Sequence, residues 1–552
     1  MAANLGPAQR MNKKNATQIF SNSPLKSAQK HPSRGTWETP KLGIVRFGHK
    51  FAIVPSQATR KMLKTKKVNR LLPTHTGRMG TQMKIAKVLF PLSLVLLSGC
   101  VVGPNYQSPT AAVPAKFSEG GQAQAADVTL KPWWEAFRDK KLNGLVAQGL
   151  GENLDVQQSI ERIIEARANV IVAASGGLPQ INASGSADAS GQDGSSRVKS
   201  GQTDHSETKT IGGGGDASWL IDLFGQYARA KESANASLDA AYADVNVARL
   251  AYLSDLTTSY IEARYNQEAY ALQQKSLASR RETLKLTNDI KAAGAASSLD
   301  VVQAEGLVNT TLAELPGYQT GFNQAANHIA TLLGLPATTV TAGLRNGASQ
   351  PSPRYNTKIG IPADLVRNRP DIRKAERLLA AATAQIGVAE AQLYPSLSLS
   401  GSIDGSRIVS SVAGGLSTWS FGPSLNIPIF NGGRLKANVD IAKSGAQQQY
   451  LAWKQTVLNG IEEVENALVA LRNNYQTVAA LRKVVDSYEQ ALGLARESYK
   501  GGATSLLDVL DAERSLATSR IALASGIRNL ANNYVDLNVA IGGGAGIQAI
   551  GQ

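Results

Sequence analysis

Late in the chain, apolar residues recur at a helical period. Ile461, Val464, Leu468, Leu471, Tyr475 and Val478 step by three, four, three, four and three; Leu481, Val485, Tyr488 and Leu492 resume after one extra three-residue step. Heptad spacing of this kind lays one apolar stripe along a helix and predicts helix-on-helix packing. Residues 226–291 and 432–500 are rich in the helix formers Ala, Leu, Gln, Glu, Lys and Arg. No proline falls between Pro179 and Pro316, and none follows Pro428. At ~1.5 Å per residue each of the two segments spans ~100 Å. Turns near Ala292-Ala293-Gly294 and Lys500-Gly501-Gly502 send the chain into a second helix, at about 505–540 in the later case.

Elsewhere the period drops to two. Leu397, Leu399, Gly401 and Ile403 alternate with Ser396, Ser398, Ser400 and Ser402, and Trp419, Phe421, Leu425, Ile427 and Ile429 share one parity. Earlier, Ile181, Ala183 and Ala187 alternate with polar residues, and Trp219, Ile221 and Leu223 share a parity. This predicts strands at about 178–191, 208–223, 393–406 and 416–430, whose two faces meet different media. The polar stretches 192–207 and 407–415 read as loops facing outside the cell. A half-buried hairpin of a water-soluble protein has the same alternation, and membrane strands signal weakly one by one.

The two textures occur twice in the same order. Gly294-Ala-Ala-Ser-Ser-Leu-Asp300-Val-Val-Gln-Ala-Glu305 matches Gly502-Ala-Thr-Ser-Leu-Leu-Asp508-Val-Leu-Asp-Ala-Glu513 at an offset of 208, which Gly334 and Gly542 share. Phe224-Gly225 pairs with Phe430-Asn431 at an offset of 206, and Leu178-Pro179 with Tyr394-Pro395. So long a period indicates duplication of one large unit, a β hairpin followed by a long helical hairpin. The division is then 100–177 (N-terminal anchor, equatorial segment and first helix), 178–334 (first repeat), 335–392 (connecting segment and helix), 393–542 (second repeat) and 543–552 (tail).

Charge narrows the chemistry. The chain carries a formal +16, which would suggest nucleic acid. Residues 1–82, however, hold 16 Lys/Arg against the single acid Glu38, whereas from Cys100 onward 40 Lys/Arg face 41 Asp/Glu. The excess precedes Lys84, Lys87, the apolar run Val88–Leu97 and Leu97-Ser98-Gly99-Cys100. That order is a secretory signal, with an apolar core too short for a spanning helix of ~20 residues. Its end resembles a bacterial lipobox, with lipidated Cys100 as the first mature residue. We therefore expect translation from Met83 or Met79, a signal peptide at 83–99, and 1–82 as an over-extended frame; retained, they would be a basic arm of the kind that meets nucleic acid. Cys100 is the only cysteine, so intramolecular disulfides and cysteine–zinc clusters are excluded. His205 and His328 are isolated, and the common nucleophile, metalloprotease, phosphate-loop and dinucleotide motifs are missing. The sequence reads as a non-enzyme without metal or other cofactor, apart from covalent lipid, diacylglycerol and palmitate, on Cys100.

Four strands do not close a barrel, for which eight is the usual small limit, and open edges cannot face lipid. Several chains must pool their strands, with ~100 Å helices projecting away from the membrane. At this point the chain resembles the outer membrane factors of tripartite efflux systems, the TolC-like superfamily, in its NodT/OprM-type lipoprotein branch. The resemblance rests on Cys100-Val-Val-Gly-Pro104-Asn-Tyr106-Gln-Ser-Pro109, Trp133-Trp134 with Phe137 and Leu142, and Leu365 with Arg369-Pro370-Asp371-Ile372 and Ala375-Glu376. Ile386-Gly387, Tyr394-Pro395 and Phe430-Asn431-Gly432-Gly433-Arg434 complete it. Together these cover about 97–542.

The resemblance implies a mixed α/β membrane protein: a homotrimer whose twelve-stranded β-barrel continues as an α-helical periplasmic tunnel. It would work as a passive exit duct with a periplasmic adaptor (a membrane fusion protein) and an inner membrane pump of the RND type. Val101 after the cysteine, rather than aspartate, fits outer membrane lipid as the destination. The resemblance also implies a gate. Asp508 and Asp511 match two aspartates that line the closed periplasmic aperture, so a trimer has two rings of three carboxylates. Such rings attract cations, and like charges raise some carboxyl pKa values. Arg514 would offset part of that repulsion. Asp300 and Tyr499 match one tie that holds the aperture shut; in the other tie Thr504 stands where the family has arginine. Without the resemblance these residues read as solvated charges beside a turn. A lipid-anchored adaptor or coiled-coil scaffold is the alternative, but an adaptor has one helical hairpin, whereas this chain duplicates both its β-runs and its helix pairs.

Overall fold

The computed structural model describes residues 101–118, 128–195, 203–353, 364–365, 368–409 and 414–546. Residues 1–82, the expected signal segment 83–99 and Cys100 lie outside them, as do 196–202 and 410–413 within the expected outer loops. A 3-10 turn at Trp133–Phe137 leads into α1 (Lys140–Glu152) and α2 (Leu154–Ser175). Then follow β1 (Gln180–Ser195), β2 (Thr203–Ile221), α3 (Gln226–Ala292) and α4 (Ser298–Leu332). After one helical turn at Thr341–Leu344, α5 (Pro370–Ala391) opens the second passage: β3 (Ser396–Ile408), β4 (Leu416–Asn426), α6 (Arg434–Lys500) and α7 (Leu506–Ala540).

The duplication is visible in lengths alone. Helices α3 and α6 are each 67 residues, and α4 and α7 each 35. Both helices of the second hairpin begin and end 208 residues after their counterparts. The offset of 206 at Phe224-Gly225 stops before α6, because two further residues precede that helix. The hairpin turns close on Gly294 and Gly502, at φ +82° and +69°. Side chains rarely adopt that left-handed conformation, so glycine ends the helix there. Pro316 sits inside α4, so the absence of proline bounds only α3 and the second hairpin. The cost is one missing rung of helix hydrogen bonds.

The four strands form one antiparallel sheet in the order β1-β2-β3-β4. They run higher than alternation predicted: β1 and β2 pair out to Ser195 and Thr203, and β3 reaches Ile408. Backbone ladders continue through polar residues, which alternation cannot reveal. At the helical end the strands stop sooner. Strand β4 ends at Asn426, two residues before Pro428, which has no N–H to give a ladder, and β1 begins just after Pro179. No helix among the described residues is long and apolar enough to cross a membrane.

The main core lies partway down the helices. Trp133, Trp134 and Phe137 are buried against Tyr252, Leu253 and Leu256 of α3 and Tyr534, Val535 and Leu537 of α7. Trp133 Nε1 donates to Gly543 O at 3.1 Å, and Tyr534 meets the Trp133 and Phe137 rings edge-on. Arg369 joins three helices: its guanidinium contacts Asp371 of α5 at 2.7 Å and Glu463 of α6 at 2.6 Å, and it donates to Ala540 O of α7 at 2.9 Å. The Trp-Trp and Arg-Pro-Asp landmarks are thus structural joints.

Residues 102–108 form a strap beside the junction of sheet and helices. Val102 N donates to Phe224 O at 3.1 Å, and Arg229 of α3 donates to Val102 O, Gly103 O and Asn105 Oδ1. A Cβ on Gly103 would stand 2.4 Å from Gly387 Cα, so only glycine fits this approach. Tyr106 and Ser108 hydroxyls donate to Glu376 Oε1 at 2.7 and 2.9 Å.

Candidate conduction path and gate

Strand register sorts the sheet into two unlike faces. One carries Ile181, Trp219, Leu399, Ile403, Trp419, Phe421 and Leu425; Ile181, Ile403, Trp419, Phe421 and Leu425 remain largely exposed in one chain, Ile181 and Trp419 each to 80%. Apolar surface of this extent on a sheet is suited to lipid. On the other face Asn182 donates to Asp216 at 3.0 Å and Ser402 meets Ser420 at 3.0 Å. The charged residues of this face, within 180–192, 207–221, 396–408 and 416–426, are Asp188, Asp216 and Asp404. A lumen built from it is hydroxyl-lined and acidic, which favours cations. The free edges of β1 and β4 leave backbone groups for a neighbouring chain.

The opposite end is formed by the two hairpin tips. Here the expected gate residues separate into different roles. Asp300 and Asp508 occupy the same position, third in α4 and α7, and each completes a capping box with a serine. Asp300 Oδ2 accepts from Ser297 N and Oγ, both at 2.8 Å. Asp508 Oδ2 accepts from Ser505 N at 3.1 Å, Ser505 Oγ at 2.9 Å and the Thr504 hydroxyl. The Thr504 and Ser505 bonds hold the Asp508 carboxyl below the usual carboxylate range. Thr504 here serves the helix cap. Asp511 projects to solvent and pairs with Arg514, one turn on, at 3.0 Å. Asp300 and Tyr499 are not hydrogen-bonded to each other in this conformation: Tyr499 is buried with Leu506, Val509, Leu510 and Ala304.

A second polar cluster at this end was not foreseen from the sequence. Arg496 Nη2 of α6 donates to Glu513 Oε1 of α7 at 2.7 Å, and to Ser279 O and Oγ of α3 at 2.8 and 2.6 Å. Thr283 Oγ1 also donates to Glu513 Oε1 at 2.7 Å. The Glu513 side chain is 2% exposed. Glu513 closes the duplicated motif, but its counterpart Glu305 is exposed, so the motif alone gave no sign of a buried charge.

The model of the family described as outer membrane efflux protein matches residues 145–335 and 361–543. The chain is 52% identical over 464 residues to nodulation protein T of Rhizobium leguminosarum bv. trifolii, covering 84% of this chain and 98% of that protein. It is 31% identical over 462 residues to the cation efflux system protein CusC of Escherichia coli, covering 83% and 98%. The fold matches the outer-membrane channel OprN with a TM-score of 0.71 at 32% identity, over 81% of this chain and 100% of that one. The chain therefore belongs to the outer membrane efflux protein family, and its one-sided sheet and long hairpins are one third of a trimeric, twelve-stranded outer membrane barrel continued by a periplasmic helical tunnel.

Proposed function

We propose that this outer membrane efflux channel is the passive exit duct for small molecules handed over by a periplasmic adaptor and an inner membrane pump of the RND type. One observation carries the reading: a sheet with a lipid-suited face and free edges stands on helices of ~100 Å, which is the span a duct between envelope layers needs. The duct does no chemistry, and selection of cargo falls to the pump. Asp508 and Asp511 form the aperture rings, with Arg514 offsetting part of their charge. Asp300 and Tyr499 remain the tie of the shut state, made once the trimer brings the tips together.

The two tips present the adaptor with equivalent apolar contacts. Leu299 and Leu507 are 208 apart, 64% and 54% exposed, and next to the capping boxes. Three chains offer six such tips. Leu299→Arg with Leu507→Arg should leave the conductance of the purified trimer intact but abolish crosslinking to the adaptor and efflux in cells. Normal efflux by that variant would contradict the docking mode.

Lipid on Cys100, diacylglycerol and palmitate, supplies the membrane anchor alongside the barrel. Support comes from the strap: Val102 is fastened to Phe224, where β2 gives way to α3. That is the level of the membrane's periplasmic surface. Mass spectrometry of the mature N-terminus should find an acylated Cys100; recovery of residues 1–82 in the mature protein would overturn it.

A further inference from the structure

We propose that α6 of one protomer packs along α2 of the next as α3 packs along α5 within the chain, and that Ala437 against the partner's Ile171 is the size-matched contact that directs this join. The proposal rests on the trimer and not on the efflux reading. A trimer alone does not say which helices meet; the repeat does. Helices α2 and α5 are each 22 residues, and Leu154–Ser175 precedes Pro370–Ala391 by 216. Asp155-Val156 then matches Asp371-Ile372, and the same interval separates Leu178-Pro179 from Tyr394-Pro395. The duplicated unit therefore begins with a helix, ahead of its β hairpin.

Within one chain these helices pack in the order α2, α3, α5, α6. Two joins are repeat equivalents, α2 on α3 and α5 on α6. The remaining join, α3 on α5, links the two repeats. Its equivalent, α6 on α2, does not form within a chain, because these helices are the two ends of the row. A second copy makes it head to tail, and three copies close the ring.

Exposure marks the two open faces. Ser233 of α3 and Ala380 and Gly387 of α5 are buried in the α3–α5 join. Their counterparts, Ile441 of α6 and Ile164 and Ile171 of α2, are 69%, 54% and 71% exposed. At the head of the join Phe224 stacks on Tyr394 with ring centroids 4.7 Å apart, while the matching Phe430 and Leu178 are both exposed. Open positions that are more apolar than their buried equivalents call for a partner.

The sizes say which partner. A Cβ on Gly387 would stand 2.7 Å from Arg229 Cγ, so within the chain a long side chain on α3 lies across a bare position on α5. On the open faces this is reversed: Ala437 stands for Arg229 and Ile171 for Gly387. A large residue on α2 thus meets a small one on α6, and the close approach is kept. The polar contacts disappear together. Gln385 Nε2 donates to Ser233 Oγ at 2.9 Å and Lys374 pairs with Asp244 at 2.7 Å; the equivalent positions hold Asn169 with Ile441 and Gln158 with Ala452. The join between chains is therefore drier than the join within them, and it has no arginine to hold a strap. Lipid would cover Ile171 and Ile441 too, but it gives no reason for a size reversal shared by two separate helices.

The test is crosslinking of the purified full-length protein, with the parent, whose only cysteine is Cys100, as control. With Ala437→Cys and Ile171→Cys in one chain, a short bis-maleimide should give covalent trimers on a denaturing gel, and either single variant should not. Ala437→Arg should lower the trimer fraction in detergent roughly tenfold, because the partner's Ile171 leaves no room. Adding Ile171→Gly, which rebuilds the Arg229–Gly387 arrangement, should restore it. An assembled trimer that gives no crosslink in the paired-cysteine variant, or a parental trimer fraction in Ala437→Arg, would overturn the join. If Ala437→Arg fails to fold with and without Ile171→Gly, crosslinking decides alone. A parent that is monomeric in membranes removes the trimer itself, and the join with it.

Discussion

At the residue scale, Glu376 shows how one carboxylate fastens the strap. Burial pushes its pKa up, but hydrogen bonds from Arg377, Tyr106 and Ser108 outweigh burial and leave it below the usual range. Burial and the bond to Glu376 push the Tyr106 hydroxyl up to about 12, so it stays a donor at any physiological pH. Because the folded pKa of Glu376 lies below its unfolded value of 4.5, its contribution is complete above that pH and is lost as pH falls through the lower, folded value. Hydrogen exchange over residues 102–108 should be insensitive to this group from pH ~7 to ~5 and should quicken below pH ~4.5. Glu376→Gln should remove the acid step and leave the strap looser at every pH. Acid quickening unchanged in that variant would point to another group. The aspartates at the tips were legible as a matched pair, but their local role was not drawn out. Ser297-Ser-Leu-Asp300 and Ser505-Leu-Leu-Asp508 both have the serine–acid spacing of a capping box. Asp508 therefore caps its helix while remaining exposed, and Asp511 faces solvent paired with Arg514.

At the element scale, the heptad stripe of α6 turns out narrower than its sequence. Val457, Val464, Leu471, Val478, Val485, Leu492 and Tyr499 are buried at a strict interval of seven, whereas Tyr475 and Tyr488 are exposed. One chain covers only one side of the seam. The period was legible; which members face the partner hairpin was not, because that depends on how α7 lies against α6. Leu471→Ala should cost about 2–5 kcal/mol per chain from lost burial and the cavity left behind. Thermal dissociation of the detergent-solubilised trimer should read this as an earlier transition; an unchanged transition would place Leu471 outside the core. The strands follow the same logic. Their parity was clear from Leu397–Ile403 and Trp419–Phe421, but not their ends, since polar residues extend the ladder at the top and Pro428 bars it at the base.

At the scale of the whole molecule, the account joins a polar, acidic sheet face to an exposed carboxylate at the far end of the helices. Both features favour cations along one path. The duplicated architecture was readable from the offset of 208 and from alternation changing to heptads. The buried Arg496–Glu513 pair was not, because it depends on three helices meeting. The central claim is that this chain forms a trimeric pore. Single-channel recording of the purified protein in a planar bilayer under a salt gradient tests it most directly. The account predicts discrete conductance with a reversal potential on the cation-selective side, and Asp508→Ala with Asp511→Ala should move that potential toward zero and weaken block by multivalent cations. A membrane-inserted protein that passes no ions, or one whose selectivity favours anions, would contradict it.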